Sequence, residues 1–542
     1  MRQRIRSGVL AFTAGALVSL PTVLHAARLK TETYGSWRFA GSDVSQLELG
    51  RRDGAEPFDL LGPQKLLEHR LRAGAVLKWR KLEFDVELDA LNGLVNTPVE
   101  GLLPPLAAEG APTRVDVIDP VRGRRYGTDL NSLALRKASL IWHSDIGQFA
   151  FGATTNHFGL GLLANDGGGA LDAQLADQRF GDRVLRASYA TKPLYYLSKG
   201  RIEEDVTSLV GLDLVLGDET ATLMRPSTEW PSKGLFKDRA LQFVLALKHQ
   251  RGGYGSGLFY AHRRLVNDGS AGLDVTVTRP FDAGLEVDIL DLFAEYKRTL
   301  ASGSAWNVAA EGAFVTGHAN LVRNAACPGR TDAERCTVRQ GGAIARGGFS
   351  QGPLSLDLLG GYASGDGNPF DAQVTNFRFD RDFKVGLVLF DQVMAWQSAA
   401  MVRRAGDPSL ANVPTAGLEL LSTSGAVTNA LFVQPQVRWQ LSAQTKLTAS
   451  ALWAKGAQGV FDPLWTNRTS TLTGPFGQPS GRNYGVEFDL GLDDTRSLDA
   501  RRSLVWGLAA GHFVPGDAFA TDTSGGTMAP VTLVKARAAV VF

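Results

Sequence analysis

The chain is poor in cysteine and, beyond its first residues, in long apolar runs. Two of its 542 residues are cysteine, which is too few for an ordinary zinc site. Its eight histidines include no H-E-x-x-H pair. No stretch after residue 26 supplies the roughly 18 uninterrupted apolar residues of a membrane-spanning helix. These absences argue against a zinc site and a spanning helix and only weakly against catalysis, because a site assembled from distant strands would escape such a search.

The N-terminus has the pattern of an export signal. MRQRIR holds three arginines and no acid, the stretch to Leu24 is apolar and contains Pro21, and Ala26 ends a small-residue cleavage site. We predict a cleaved signal peptide over residues 1–26, with a membrane anchor as the alternative. Loss of its three arginines lowers the 57 basic residues to 54, against 55 acidic ones. The composition therefore implies no nucleic-acid partner.

Residues 66–91 show the unit on which the chain is built. Apolar and charged residues alternate along LLEHRLRAGAVLKW and LEFDVELDAL, and a period of two predicts β-strands. With a turn at positions 80 and 81, position i opposes position 161 − i, so that Arg72 opposes Asp89. This register pairs apolar with apolar and positive with negative side chains. The hairpin has one apolar face and one charged face.

Similar stretches recur to the end of the chain. We count 18 strands, within a range of 16 to 20, joined by nine long and eight shorter connections in alternation. This pattern is typical of an all-β fold, a transmembrane antiparallel β-barrel with short periplasmic turns and long external loops. Residues 27–542 would form one barrel, closed so that no unpaired strand edge meets lipid.

The last stretch, VTLVKARAAVVF, alternates and ends in Phe542. It resembles the closing strand of bacterial outer-membrane barrels, in which a terminal phenylalanine is the signal for the insertion machinery. The resemblance implies that Phe542 contacts that machinery. It also implies that the barrel contacts the outer-membrane lipid of a Gram-negative bacterium.

In such a barrel the charged faces line a water-filled lumen, while Leu71 and Phe84 face lipid. The predicted substrate path contains Arg70, Arg72, Asp85, Glu87, Arg186, Arg438 and Arg537. Arg186, Arg438 and Arg537 are favoured for an anionic solute because their own hairpins offer no obvious partner. In the alternative, the charges pair across strands and only fill the interior.

Loop 364–429 is the best candidate for a gate. It is far longer than a hairpin needs, and residues 383–390 and 393–396 are too apolar for a solvated loop. We predict that it packs in the lumen as a constriction, with Arg403 and Arg404 as gate residues. The alternative is two extra short strands in the barrel wall.

Two smaller features lie in predicted external loops. Eight residues separate Cys327 from Cys336, and outside the cytoplasm a disulfide is their natural state. Asp366, Asn368 and Asp371 could bind calcium through oxygen atoms, but a turn is the favoured interpretation.

Three stretches resemble a known family: the hairpin at 66–91, LRKASLIWHSDIGQFAFGATTNHFGLGLL at 135–163, and GGYASGDGNPFDAQVTNFRFD at 360–380. They are similar to the early hairpin, the hairpin with its Gly-rich loop, and the strand end with its loop in porin-like barrels of the 18-stranded alginate-export type. The resemblance implies an arginine-rich lumen that passes an acidic polysaccharide. The acidic row at 83–89 departs from that pattern.

The sequence therefore predicts a non-enzymatic outer-membrane channel, a porin or polysaccharide exporter, for a hydrophilic solute that the arginines allow to be anionic. Two other classes stay open. One is a barrel hydrolase, which needs a histidine beside serine or aspartate at the lumen or rim. The other is a structural or adhesion barrel that acts through its external loops.

Overall fold

A computed structural model describes residues 29–50, 59–61, 63–94, 129–169, 175–178, 181–198, 205–218, 240–267, 283–320, 327, 334–368, 370–407, 410, 421–521 and 525–542. The predicted signal peptide lies outside these residues. Eighteen long strands form one closed antiparallel barrel, as the sequence predicts. The strands are β1 (Lys30–Val44), β2 (Gln64–Trp79), β3 (Leu82–Leu94), β4 (Asp129–Ser144), β5 (Gly147–Thr155), β6 (Arg183–Thr191), β7 (Val206–Gly217), β8 (Ala240–Arg251), β9 (Tyr254–Asn267), β10 (Ala283–Thr299), β11 (Ala305–Ala319), β12 (Cys336–Gln351), β13 (Leu354–Ala363), β14 (Ala430–Gln440), β15 (Thr445–Lys455), β16 (Asn483–Ser497), β17 (Ser503–Pro515) and β18 (Val531–Val541).

Each strand pairs with its sequence neighbours, and β18 returns to β1 to close the barrel. At the seam Trp37 lies opposite Val540, and Gly35 and Phe542 exchange backbone hydrogen bonds. Gly35 also lacks the Cβ that would collide with the Phe542 ring. The terminal phenylalanine therefore completes the seam.

The predicted register of the first hairpin is confirmed. Arg72 lies opposite Asp89 in the β2–β3 pair. The turn places Arg80 in the left-handed region, with φ of 54°. Gly252 and Gly352 hold the same conformation in the β8–β9 and β12–β13 turns, at no cost from a side chain. For Arg80 that conformation costs about 1 kcal/mol.

The two faces of the wall differ as predicted. Leu212 and Leu292 on the outer face are 64% and 51% exposed, whereas Asp213 and Asp291, their neighbours in sequence, are almost fully buried. A soluble sheet would show the reverse. The outer face is therefore a continuous apolar belt, and the polar residues point into the barrel.

Aromatic rings surround the barrel at its short-turn end. The Trp142 and Phe149 rings stack at 5.3 Å, Tyr254 and Tyr296 lie 4.5 Å apart, and further pairs join Phe149 to Tyr189 and Trp306 to Phe349. Such a ring of amphipathic side chains is typical of a membrane–water interface.

The remaining described elements belong to the connections. They are a small sheet of Leu47–Gly50 and Asp59–Leu61, a two-residue strand Gln373–Val374, a π-helical turn Leu389–Met394, a 3-10 turn Asp517–Phe519, and helices α1 (Pro193–Leu197), α2 (Ala395–Ala405) and α3 (Pro463–Thr469). No helix among the described residues is long and apolar enough to cross a membrane.

The structure bears on two predictions about the connections. The disulfide Cys327–Cys336 is confirmed, with a Cα–Cα distance of 5.3 Å. In the described part of 364–429 no strand enters the barrel between β13 and β14, which pair directly, and the short strand Gln373–Val374 lies parallel to the start of β12. The apolar part of that loop instead forms the π-helical turn and α2.

Candidate functional site

Two segments from the long connections pack against inward-facing residues of the wall. We call residues 157–169 and 175–178 the first inner segment and residues 376–407 the second inner segment. In the second, Trp396 and Phe390 are buried. Phe377 lies over Gly342 and Val388 over Gly511, two wall positions where a Cβ would clash with the segment. The apolar run in 364–429 is thus explained by contact with the barrel interior.

The second inner segment is held to the wall by Glu487 of β16. Its carboxylate accepts hydrogen bonds from the backbone N–H groups of Leu387, Val388 and Leu389, at 2.8 Å from Val388 and 2.7 Å from Leu389. Gly386 precedes them with φ of 67°, and a side chain there would collide with the Glu487 carboxylate. The glycine allows the backbone to wrap around the acid.

Glu311 of β11 holds the first inner segment in the same manner. It accepts hydrogen bonds from the backbone N–H groups of Leu160 and Leu162, the latter at 3.0 Å. Gly159 has φ of 58° and again leaves room for the carboxylate. The glycines of H-F-G-L-G-L-L therefore serve the contact with Glu311.

Cations cover the interior surface of strands β18, β1, β2 and β4. We call the following set the basic band: Arg38, Arg70, Arg72, Arg136, Lys535 and Arg537. All six side chains are at least nine-tenths buried. Arg38 lies directly opposite Arg70 in the β1–β2 pair. Buried like charges so close together require nearby anions.

Acids of β3 supply part of that compensation. Arg72 makes a bidentate pair with Asp89, at 2.7 and 2.9 Å. Arg136 donates to Glu87 at 2.8 Å. Asp85 accepts from the Tyr34 hydroxyl at 3.1 Å. The structure thus brings Arg72, Asp85 and Glu87 of the predicted path into one network, and Arg136 is a member that the sequence reasoning missed.

The compensation is incomplete at Arg38 and Arg70, which are 3% and 5% exposed. Arg70 donates a hydrogen bond to the backbone oxygen of Gln178 at 3.3 Å. Among the described residues, no group accepts a hydrogen bond from Nη1 of Arg38 or Nε of Arg70. A buried donor without an acceptor is costly and marks a place where an anion would be favoured.

The first inner segment brings its own acid to the basic band. Asp177 lies 2.7 Å from Lys535, 2.9 Å from Arg537 and 3.6 Å from Arg38. Burial alone would raise the pKa of this carboxyl group, but Lys535, Arg38 and Arg537 outweigh it and hold the pKa well below its usual range. Asp177 is therefore an anion at neutral pH.

The premise that their own hairpins offer no partner is wrong for Arg186, whereas Arg438 and Arg537 find partners outside their own hairpins. Arg186 pairs with Asp213 through two contacts of 2.7 Å, directly across the β6–β7 hairpin. Arg438 reaches Asp357 on β13 at 2.5 Å. Both arginines are neutralised by wall residues, which removes the reason for favouring them over other cations.

Arg537 finds its wall partner across an intervening strand. It donates to Asp493 of β16 at 2.6 Å, and the two residues flank Gly507 of β17 in register. A Cβ at Gly507 would collide with the Asp493 carboxylate. The missing side chain opens the space in which the pair meets.

The two predicted gate residues lie on α2. Arg404 is buried, pairs with Asp462 at 2.6 Å and donates to the backbone oxygen of Leu49 at 3.4 Å. Asp462 also caps α3 by accepting from Leu464 and Trp465. Arg404 thus ties the second inner segment to two neighbouring loops. The side chain of Arg403 lies outside the described residues, and the gate role of both stays a prediction.

A cavity of about 330 Å³ lies between the second inner segment and strands β8 to β12. Phe259, Ile289 and Val315 give it an apolar wall, and Asp182 and Arg263 lie at its lining. Burial, with Asp380 and Asp218 nearby, raises the pKa of Asp182 well above its ordinary value. The cavity therefore combines apolar surface with a carboxyl group that resists ionisation.

The three residues considered for calcium lie in a turn-rich part of loop 364–429. Asp366, Asn368 and Asp371 accept backbone hydrogen bonds two residues ahead, from Asn368, Phe370 and Gln373. This is the pattern of Asx turns, as the favoured interpretation predicted.

No family model matches the chain, and no curated protein matches it. Several solved structures are similar in architecture. Acinetobacter baumannii OccAB1 shares 11% identity over 94% of this chain and 97% of its own, with a TM-score of 0.46. Pseudomonas aeruginosa OccK8 (OprE) shares 8% over 94% and 98%, with a TM-score of 0.46. Pseudomonas aeruginosa OccK2 (OpdF), in complex with glucuronate, shares 10% over 94% and 97%, with a TM-score of 0.45. At this identity, residue roles do not transfer between the chains.

Proposed function

We propose that the protein is an outer-membrane channel that passes hydrophilic solutes and guides anionic ones along the basic band. The observation that carries this proposal is the pair Arg38 and Arg70, two buried cations on the interior face that each keep a donor for which the described part of the chain supplies no acceptor. A wall built only to fill space would neutralise such groups, as it does at Arg186. Cations that line a lumen attract anions and set solute preference.

The outer face supports the membrane location. His262, Asp288, Thr316 and Arg339 form one polar row, opposite each other in consecutive strand pairs. His262 is eight positions from Tyr254 in the aromatic ring. At about 3.4 Å per residue and a tilt of about 40°, the two levels are roughly 21 Å apart along the barrel axis. An apolar belt of about 25 Å is the height expected in an outer membrane.

The two inner segments act as the constriction of this channel. They meet the wall at Glu311 of β11 and Glu487 of β16, so that each is held against the interior face. Substrate selection then occurs between these segments and the basic band. Of the predicted path, Arg70, Arg72, Asp85, Glu87 and Arg537 belong to that passage, while Arg186 and Arg438 contribute paired charges to the wall.

Passage of a bulky acidic polysaccharide, which the alginate-export resemblance implies, is less favoured. The second inner segment fills space next to the wall with buried aromatic residues, and Asp177 presents an acid to the basic band. A small anion needs less displacement of both. We therefore propose that the channel passes a small solute. Export of a polymer is the competing function, which a swelling assay distinguishes.

A hydrolase has one specific observation in its favour. On the outer face, His262 lies 3.0 Å from Asp288. The third side chain in contact is Tyr260, whose hydroxyl donates a hydrogen bond to Asp288 at 2.6 Å. A hydrolase of this type would have a serine in that place. The geometry therefore suits a polar boundary of the membrane belt better than a nucleophilic site.

A swelling assay on liposomes that contain the purified barrel tests the function. We expect gluconate and glucose to enter, gluconate faster because of its charge, and a long acidic polysaccharide to be excluded. Entry of the polymer would support export of polysaccharide instead. A folded barrel that admits no solute would contradict the channel.

A further inference from the structure

Asp177 makes the contacts that a solute carboxylate would make. Its two oxygen atoms lie 2.7 Å from Lys535 and 2.9 Å from Arg537, which are the distances of charge-assisted hydrogen bonds. It reaches them from a position 360 residues away in sequence. The carboxylate belongs to an inner segment, whereas the cations belong to the wall.

We propose that Arg38, Lys535 and Arg537 form a carboxylate-binding site of the channel, and that Asp177 is a tethered carboxylate which fills this site until a solute displaces it. This inference rests on the proposed channel function and names both the ligand group and its internal competitor. The three buried wall cations converge on this one acid of a long connection.

The donors at this site outnumber what Asp177 satisfies. Arg38 lies 3.6 Å from its carboxylate, and Nη1 of Arg38 makes no hydrogen bond to a described residue. Nε of Arg70, on the strand opposite, is in the same state. A free carboxylate that carries further acceptor oxygens, such as hydroxyls on its carbon chain, would satisfy more of these donors than the aspartate does.

The first inner segment depends on the same cations for its attachment. Arg70 donates to the backbone oxygen of Gln178, and Arg72 lies 3.4 Å from the backbone oxygen of Gly167. An anion that takes over the site therefore weakens several contacts of the segment at once. Solute binding and movement of the segment are coupled, because both use one set of donors.

Replacement of Asp177 by asparagine tests the competition. A tethered group acts at an effective concentration of about millimolar, so its removal should tighten the block of chloride current by gluconate about tenfold or more. Asp166→Asn is the matched control, since it removes an equal charge from the same segment, where Asp166 is exposed beside His157. We expect that control to bind gluconate as the native channel does.

A second readout does not depend on the folding of the Asp177→Asn variant. Both native cysteines are in the disulfide, so Gln178→Cys supplies a single thiol beside Asp177. Gluconate should speed its modification by a water-soluble thiol reagent several-fold, and glucose should not. Equal rates with gluconate and glucose would overturn the proposal, as would an unchanged gluconate block in Asp177→Asn. The absence of conductance in the native protein would instead contradict the channel function. The rate of thiol modification would then still show whether gluconate displaces Asp177.

Discussion

The carboxylate of Glu487 and the backbone N–H of Val388 lie 2.8 Å apart, in the middle of three consecutive backbone donors that this acid accepts. Removal of the acid leaves three buried N–H groups without an acceptor, each at a cost of about 1–3 kcal/mol. Glu487→Ala should therefore detach the second inner segment and raise single-channel conductance about twofold or more.

The control for this variant is Glu286→Ala, because Glu286 is a half-exposed acid of the wall that pairs only loosely with Arg335, at 3.9 Å. We expect it to leave conductance near the native value. Equal conductance in the native channel and in Glu487→Ala would show that the second inner segment does not constrict the passage.

The intact Arg186–Asp213 pair should have little effect on ion selectivity, whereas loss of one of its two charges should change the selectivity. Arg186→Gln leaves Asp213 as an uncompensated buried anion, so the reversal potential in a KCl gradient should shift toward cation preference. In the double variant Arg186→Gln/Asp213→Asn the charge is balanced again, and the reversal potential should return close to the native value. A double variant as shifted as the single one would mean that Arg186 itself contacts the permeating ion.

Neighbouring positions on one strand should report lipid and water in turn. Val308 of β11 is 55% exposed on the outer face, and Asn307 points inward toward Gly348. A spin label at Val308 should be relaxed by oxygen, which partitions into lipid, and a label at Asn307 by a water-soluble nickel complex. The opposite pair of results would indicate a soluble fold instead of a membrane barrel.

The raised pKa of Asp182 should make the free energy of unfolding decrease as the pH rises. Its pKa is raised in the folded protein, so its neutral form is favoured and stability is fully present below the ordinary pKa of 3.8. Stability is then lost as the pH rises from that value through the raised one. Asp182→Asn should therefore raise the thermal midpoint in detergent at about pH 7 and leave it unchanged below about pH 3.5.

Asp499, in the β16–β17 turn, supplies the control of opposite sign. Hydrogen bonds from Arg502 and from the backbone of Arg501 and Arg502 lower its pKa to about 2. Its contribution is present above the ordinary value and is lost as the pH falls toward about 2. Asp499→Asn should lower the midpoint slightly at neutral pH, and equal signs for the two variants would contradict the assignment.

The strands were predictable because each follows a two-residue period that lipid on one side and water on the other impose. Where a turn of two residues joins two strands, the register also follows, as for Arg72 and Asp89. The partner of Arg186 was missed because the connection between β6 and β7 is longer and contains α1. A connection of that length does not determine which residues face each other.

The candidate site was less predictable, since its contacts join distant parts of the chain. Asp177 gives no periodic signal, and its distance to Arg537 depends on how the first inner segment folds inside the barrel. The Arg537–Asp493 pair depends on the absence of a side chain at Gly507 in the strand between them. The apolar run in 364–429 did predict packing, but not the wall residues that it meets, such as Gly511 at Val388 and Glu487 at Leu389.

The measurement that tests the channel most directly is the reversal potential of the purified barrel in a planar bilayer, across a KCl gradient, before and after neutralisation of the two opposed cations in Arg38→Gln/Arg70→Gln. We predict discrete conductance steps with a preference for chloride in the native channel and a loss of that preference in the variant. A folded native barrel without conductance steps, or an ion preference that the variant leaves unchanged, would contradict the account.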